Sequence, residues 1–96
     1  MLGIFVILGF DGPDGAAKRK IHRAAHLERM ETLDARGRVV LAGPLTDHAG
    51  SLIVIRADSL KEAEQFARDD PYTTFGVFER VEVHPFLQVF PKTRTS

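Results

Sequence analysis

The ten residues "MLGIFVILGF" at the start of the chain constrain its fold more than any other stretch. Ile4, Val6, Leu8 and Phe10 fall on one face of a strand over 2–10, and Phe5 and Ile7 on the other. Both faces are apolar, and such a strand is central in its sheet and covered on both sides. The run is too short to span a bilayer. No basic segment precedes it and no small-residue cleavage site follows, so it reads as neither a membrane span nor a signal peptide.

The rest of the chain supplies three more strands and two helices. "DGPDG" at 11–15 is a turn. A long helix runs from about Ala16 to Arg36, with Gly37 as the residue just past its end. Strands follow at 38–45, stopped by Gly43-Pro44, and at 51–57. "SLKE" at 59–62 has the form of a capping box, in which Ser59 and Glu62 serve each other's backbone amides. The helix it opens runs to about Asp69, because Pro71 disfavours helix at Asp70. "FGVFERVEVHPF" at 75–86 alternates, with Val77, Val81 and Val83 opposite Arg80, Glu82 and His84, as a half-exposed strand does.

The order is β-α-β-β-α-β, an α+β ferredoxin-like arrangement with an antiparallel four-stranded sheet. Two helices cover only one face of such a sheet, yet the first strand needs cover on both. The simplest cover is the same sheet in a second copy, which predicts a homodimer with sheets packed face to face. The competing expectation is a monomer whose C-terminal segment folds across that face. Residues 1–90 form the one expected domain, and 91–96 a polar tail.

At 96 residues the chain buries only about 60–65 % of its unfolded surface, so a partner subunit helps. The 13 basic and 13 acidic residues cancel, and the cluster "KRKIHR" is followed by acids, which argues against nucleic acid as a partner. There is no cysteine, hence no disulfide and no thiol chemistry; nothing calls for an oxidising compartment, and the cytoplasm is the expected location. Neither a G-x-G-x-x-G nor a Walker pattern occurs, so no nucleotide cofactor is expected.

On the first helix Arg19, Arg23, His26, Met30, Leu33 and Gly37 share one row. Its end is apolar and its start carries two guanidinium groups and an imidazole. Ala17, Ile21, Ala24 and Ala25 form a competing apolar face, on which reading the arginines are simply solvated. On the second helix Ala63, Phe66, Ala67 and Asp70 form a stripe, so Asp70 points at the sheet while Asp69 points to water. An inward carboxylate needs a partner, and Arg19, Arg23 and His26 are the groups on offer. A carboxylate on one imidazole nitrogen fixes the tautomer, which is how a general base is held ready.

"RAAHLERM", "AGPL", "GSLIVI", and "DDPY" followed by "GVFERVEVHPF", in this order and spacing, make the chain resemble the YciI-like (YCII-related domain) proteins over residues 2–90. The resemblance implies the same fold, a dimeric α+β barrel, and a proposed catalytic pair formed by a histidine of the first helix and the aspartate of the "DPY" corner, here His26 and Asp70. It also implies kinship with muconolactone-isomerase-like enzymes and with dehydrochlorination of chlorinated aromatics. The loop "TDHAGS" is shorter than the family's, which leaves any particular substrate uncarried.

The expected function is therefore a cofactor-independent enzyme of isomerase, lyase or hydrolase type acting on a small oxygenated or aromatic acid. His26 moves a proton, Asp70 orients and charge-stabilises it, Arg23 holds a substrate carboxylate or enolate oxygen, Ser51 contributes a donor, and Tyr72 lines the pocket. The alternative is a non-catalytic ligand-binding module in which His26–Asp70 only locks two helices together. His22 and His26 stand four apart, as metal ligands on a helix can, but no third ligand is evident and no metal is expected.

Overall fold

A computed structural model describes residues 2–92. Strand β1 (Gly3–Asp11) leads into α1 (Gly15–Ala35), then β2 (Val39–Pro44), β3 (Gly50–Ala57), α2 (Leu60–Asp69), α3 (Pro71–Thr74) and β4 (Phe78–Phe86). All strand pairs are antiparallel, in the order β2-β3-β1-β4. This is the ferredoxin-like α+β fold, with one short helix, α3, added before the last strand.

β1 is central, and its register sets the core. Ile7 stands opposite Ile53 and Val83, and Phe5 opposite Ile55. These residues meet Met30 of α1 and Ala63 and Ala67 of α2 in one buried cluster. Helix α1 ends as expected: Gly37 takes a φ of 73°, and the amides of Gly37 and Arg38 donate to the carbonyls of Asp34 and Leu33, a Schellman ending. Ser59 accepts from the Glu62 amide at 3.1 Å. Glu62 reaches one residue further back than a capping box requires, accepting from the Asp58 amide at 2.9 Å.

The other face of the sheet carries Ile4, Val6, Leu8 and Phe10, all half-buried, beside Leu41 and Phe86, which are exposed. On β4 Arg80 lies 4.0 Å from the centre of the Phe10 ring and pairs with Glu82. The C-terminal segment does not cover this face: Leu87, Val89 and Phe90 are 82, 62 and 71 % exposed. Most of the expected polar tail, residues 93–96, lies outside the described residues. β4 starts at Phe78, three residues later than its alternation suggested, because α3 and a turn at Gly76 occupy the intervening chain.

Candidate functional site

Helix α1 presents the charged row inward. Ile21 is 72 % exposed and Ala17, Ala24 and Ala25 are exposed, so the competing face is the solvated one. Arg19 and His26 are half-buried and Met30 is buried. Arg23, between them, stays exposed at the rim.

His26 Nδ1 lies 2.9 Å from Asp70 Oδ1, with the two side chains 12 and 3 % exposed. The same oxygen accepts from the Tyr72 amide at 2.8 Å. Asp70 ends α2 and is the N-cap of α3, with Pro71 at the first helical position, the residue pair that favours a helix start. Its carboxylate thus faces the positive end of α3. A carboxylate only accepts, so Nδ1 carries the hydrogen, and the neutral imidazole keeps its lone pair on Nε2. The Tyr72 ring stacks on His26 at 4.0 Å, nearly parallel, which fixes the imidazole plane. Asp69 is exposed and accepts from Gln65.

Arg19 is held by a group outside the helix. Its Nε and Nη2 donate to the two oxygens of Asp11 at 2.6 and 2.8 Å, and Nη2 also donates to Ser51 Oγ at 2.9 Å. Its guanidinium lies 5.0 Å from the Tyr72 ring centre and 5.7 Å from that of Phe78. Its hydrogen bond to Asp11 raises its pKa above an already high value. Two glycines make room for this cluster. A Cβ on Gly9 would sit 2.5 Å from the Phe78 ring, and one on Gly15 would sit 2.7 Å from the Asp11 side chain.

A cavity of about 760 Å³ opens between α1, the β2–β3 hairpin and the turn at 11–13. Arg23, His26, Ser51 and Tyr72 line it, and Asp70 stands behind His26 rather than in the wall. Ser51 and Tyr72 are each 3 % exposed. Among the described residues Arg23 has no ion-pair partner, whereas Arg19 has one. The cavity also gathers Asp11 and His48, which sequence reasoning did not select, and Arg19, which it considered only as a partner for Asp70. His48 sits in the hairpin turn with a φ of 66°, a conformation rare outside glycine and enriched at functional sites; no spacing pattern marks it. His22 is half-buried rather than an open surface residue, stacked on Phe75 at 4.2 Å. Among the described residues no group of three or more His, Cys, Asp or Glu side chains could hold a metal ion. No described helix is long and apolar enough to cross a membrane.

A ferredoxin-like domain with an imidazole–carboxylate pair at the wall of a helix–sheet cavity is the class these features define. Within that class the chain belongs to the YCII-related domain family, whose model matches residues 4–87. Protein YciI of Escherichia coli is 36 % identical over 97 residues, covering 91 % of this chain and 99 % of that protein. An uncharacterized protein of Haemophilus influenzae is 34 % identical over 96 residues, covering 90 % of this chain and 98 % of that one. Among solved structures, 5-chloro-2-hydroxyhydroquinone dehydrochlorinase (TftG) from Burkholderia phenoliruptrix, in complex with 2,5-dihydroxybenzoquinone, superposes with a TM-score of 0.78 at 29 % identity, over 88 % of this chain and 93 % of that chain.

Proposed function

We propose that the chain is a cofactor-independent acid–base enzyme acting on a small oxygenated ring or acid. The observation that carries this reading is the His26 Nδ1–Asp70 Oδ1 contact of 2.9 Å at the wall of a cavity of about 760 Å³. The dehydrochlorinase activity in the neighbour's name supports elimination as the reaction type. Nε2 of His26 takes a proton from a hydroxyl or carbon of the bound ring, and in an elimination chloride leaves with its bonding electron pair. Asp70 holds the imidazolium that forms. Arg23 receives the anionic oxygen that develops or is already present. Tyr72 is a wall of the same pocket. The active form is a homodimer whose subunits meet through the apolar sheet face bearing Val6, Leu8 and Phe10, an arrangement that closes two sheets into one barrel.

The test uses 5-chloro-2-hydroxyhydroquinone as substrate, with chloride release as the readout and 2,5-dihydroxybenzoquinone as a binding probe. Loss of general-base catalysis in His26→Gln slows release by roughly 10²–10⁴-fold. Saturable quinone binding that survives His26→Gln, without chloride release by the parent chain, overturns catalysis in favour of a binding module.

A further inference from the structure

The serine at the cavity wall has an acceptor position in use and its single O–H donor left over, as the chemistry of its partner requires. Arg19 Nη2 carries two hydrogens. One goes to Asp11 Oδ1 at 2.8 Å and the other to Ser51 Oγ at 2.9 Å. A guanidinium has no lone pair to offer, so Ser51 is the acceptor in this contact and its O–H must be donated elsewhere. Among the described residues no side chain or backbone oxygen receives it. Ser51 is 3 % exposed, and the surface it retains lies in the cavity with His26 and Arg23.

We infer that Ser51 is a preset hydrogen-bond donor to the ligand, oriented by Asp11 and Arg19, and that the ligand brings an acceptor oxygen (carboxylate, phenolate or quinone carbonyl) to that point. The ligand class rests on the reading under Proposed function; the orientation of Ser51 does not. Asp11 and Arg19 are positioning residues, because neither needs to touch the ligand. Their fork is fixed on both sides: two hydrogen bonds tie the guanidinium to Asp11, and the Tyr72 and Phe78 rings face it. Asp11 neutralises Arg19, so this corner recognises a ligand oxygen through a dipole, polarised by the donor behind it. The unpaired charge of Arg23 acts at the rim. A ligand that satisfies both is planar or short and has two oxygen functions, one of them anionic. Lysine cannot substitute for Arg19 here, since a single ammonium does not reproduce a fork that serves a carboxylate and a hydroxyl together.

The orientation is measurable without any ligand, because the chain has no cysteine. In Ser51→Cys the new thiol is the molecule's single thiol and takes the place of Oγ. Its alkylation by iodoacetamide is followed against pH in the folded protein. A sulfur facing the cavity is alkylated, and the Arg19 N–H that reaches Ser51 Oγ donates to its thiolate, so the midpoint falls below the ordinary value of about 8.5. Ser51→Cys combined with Arg19→Gln brings the midpoint to or above the ordinary value, since burial and the Asp11 carboxylate then both disfavour the thiolate. An unreactive thiol, or the ordinary midpoint with Arg19 present, overturns the orientation.

The ligand half is tested with 2,5-dihydroxybenzoquinone by calorimetric titration. Ser51→Ala and Arg19→Lys each weaken binding about tenfold, and the double variant is no weaker than Ser51→Ala alone. Additive losses would show that Arg19 acts other than through Ser51. Unchanged affinity in Ser51→Ala, or no binding by the parent chain, overturns the ligand class. Chloride release plays no part in either measurement, so failure of the catalytic reading is seen separately.

Discussion

Replacing Asp70 separates what its carboxylate does for the fold from what it does for His26. The residue is 2 % exposed and one oxygen of its side chain serves two donors, the Tyr72 amide at 2.8 Å and His26 Nδ1 at 2.9 Å. Asp70→Ala removes the cap of α3, at about 1 kcal/mol, and strands the imidazole N–H in a buried place, at about 1–3 kcal/mol. Against this stands relief of a desolvated carboxylate whose Oδ2 has no partner. The net loss is about 2–3 kcal/mol, which in a domain of this size lowers Tm by roughly 10–20 °C. Asp70→Asn keeps an acceptor at Oδ1 and loses the charge, so it costs about 1 kcal/mol, or roughly 5 °C. Thermal unfolding followed by circular dichroism gives both numbers. Amide exchange at Tyr72 supplies the local readout: protection is lost in Asp70→Ala and retained in Asp70→Asn. An Asp70→Ala variant within about 0.5 kcal/mol of the parent, with Tyr72 still protected, refutes the reasoning, since surface substitutions have effects of that size.

Four further outcomes follow from the geometry. Gly50→Ala places a Cβ against the carbonyl oxygen of Gly9 in the neighbouring strand, where backbone cannot give way; a loss above about 3 kcal/mol shows as failure to reach native ellipticity, and a Tm within a few degrees of the parent contradicts it. Glu62 has a folded pKa below its ordinary 4.5, chiefly through the Asp58 amide and then Arg38, so its contribution is present above 4.5 and is lost as pH falls through the lower folded value. Urea titrations across that range give a steeper decline in the parent chain than in Glu62→Gln, and parallel curves sink the idea. Leu8→Arg puts a charge in the middle of the apolar sheet face, between Leu52 and Glu82, and takes the proposed homodimer to a sedimenting mass of one chain; an unchanged two-chain mass, or a one-chain mass in the parent, rules that face out as the subunit contact. Tyr72→Phe keeps the ring that stacks on His26 and removes a hydroxyl that has no partner among the described residues, so stability changes by less than about 0.5 kcal/mol, and any change in affinity for 2,5-dihydroxybenzoquinone, the proposed binding probe, reports contact with the ligand.

What the sequence revealed was whatever repeats at a period. The two-faced β1, the stripe Ala63–Phe66–Ala67 and the row from Arg19 to Met30 each repeat over two or more turns or pleats, and each stands where its spacing put it, with Arg23 alone exposed at the rim. Contacts made by short or aperiodic pieces stayed hidden. Helix α3 has four residues, too few for a period, although Asp70-Pro71 is a start signal. With α3 unseen, the cap that Asp70 places on the next helix stayed hidden. Arg19 pairs with Asp11 across the turn at 12–14, eight residues back, a separation that no helical rule connects. His48 depends on a single left-handed residue in a hairpin turn. The open sheet face shows the opposite limit: its apolar character is plain in the sequence, while its cover is not part of the chain's own described fold.

The position of the dyad has a consequence for how the site fails. The imidazole is held by the Asp70 oxygen, by the Tyr72 ring and by its own helix, and the first two both depend on α3. A four-residue helix has almost no stability of its own, so it persists through the Asp70 cap and the burial of Tyr72 against Phe78. Local opening of α3 therefore releases carboxylate and ring together, while the β1–β3 core, built from Ile7, Ile53 and Ile55, remains intact. Such sub-global openings lie below the global unfolding free energy. The arrangement of His26 is thus coupled to the stability of the "DPY" corner rather than to that of the sheet, and substitutions that strengthen the core leave the lifetime of the assembled site unchanged.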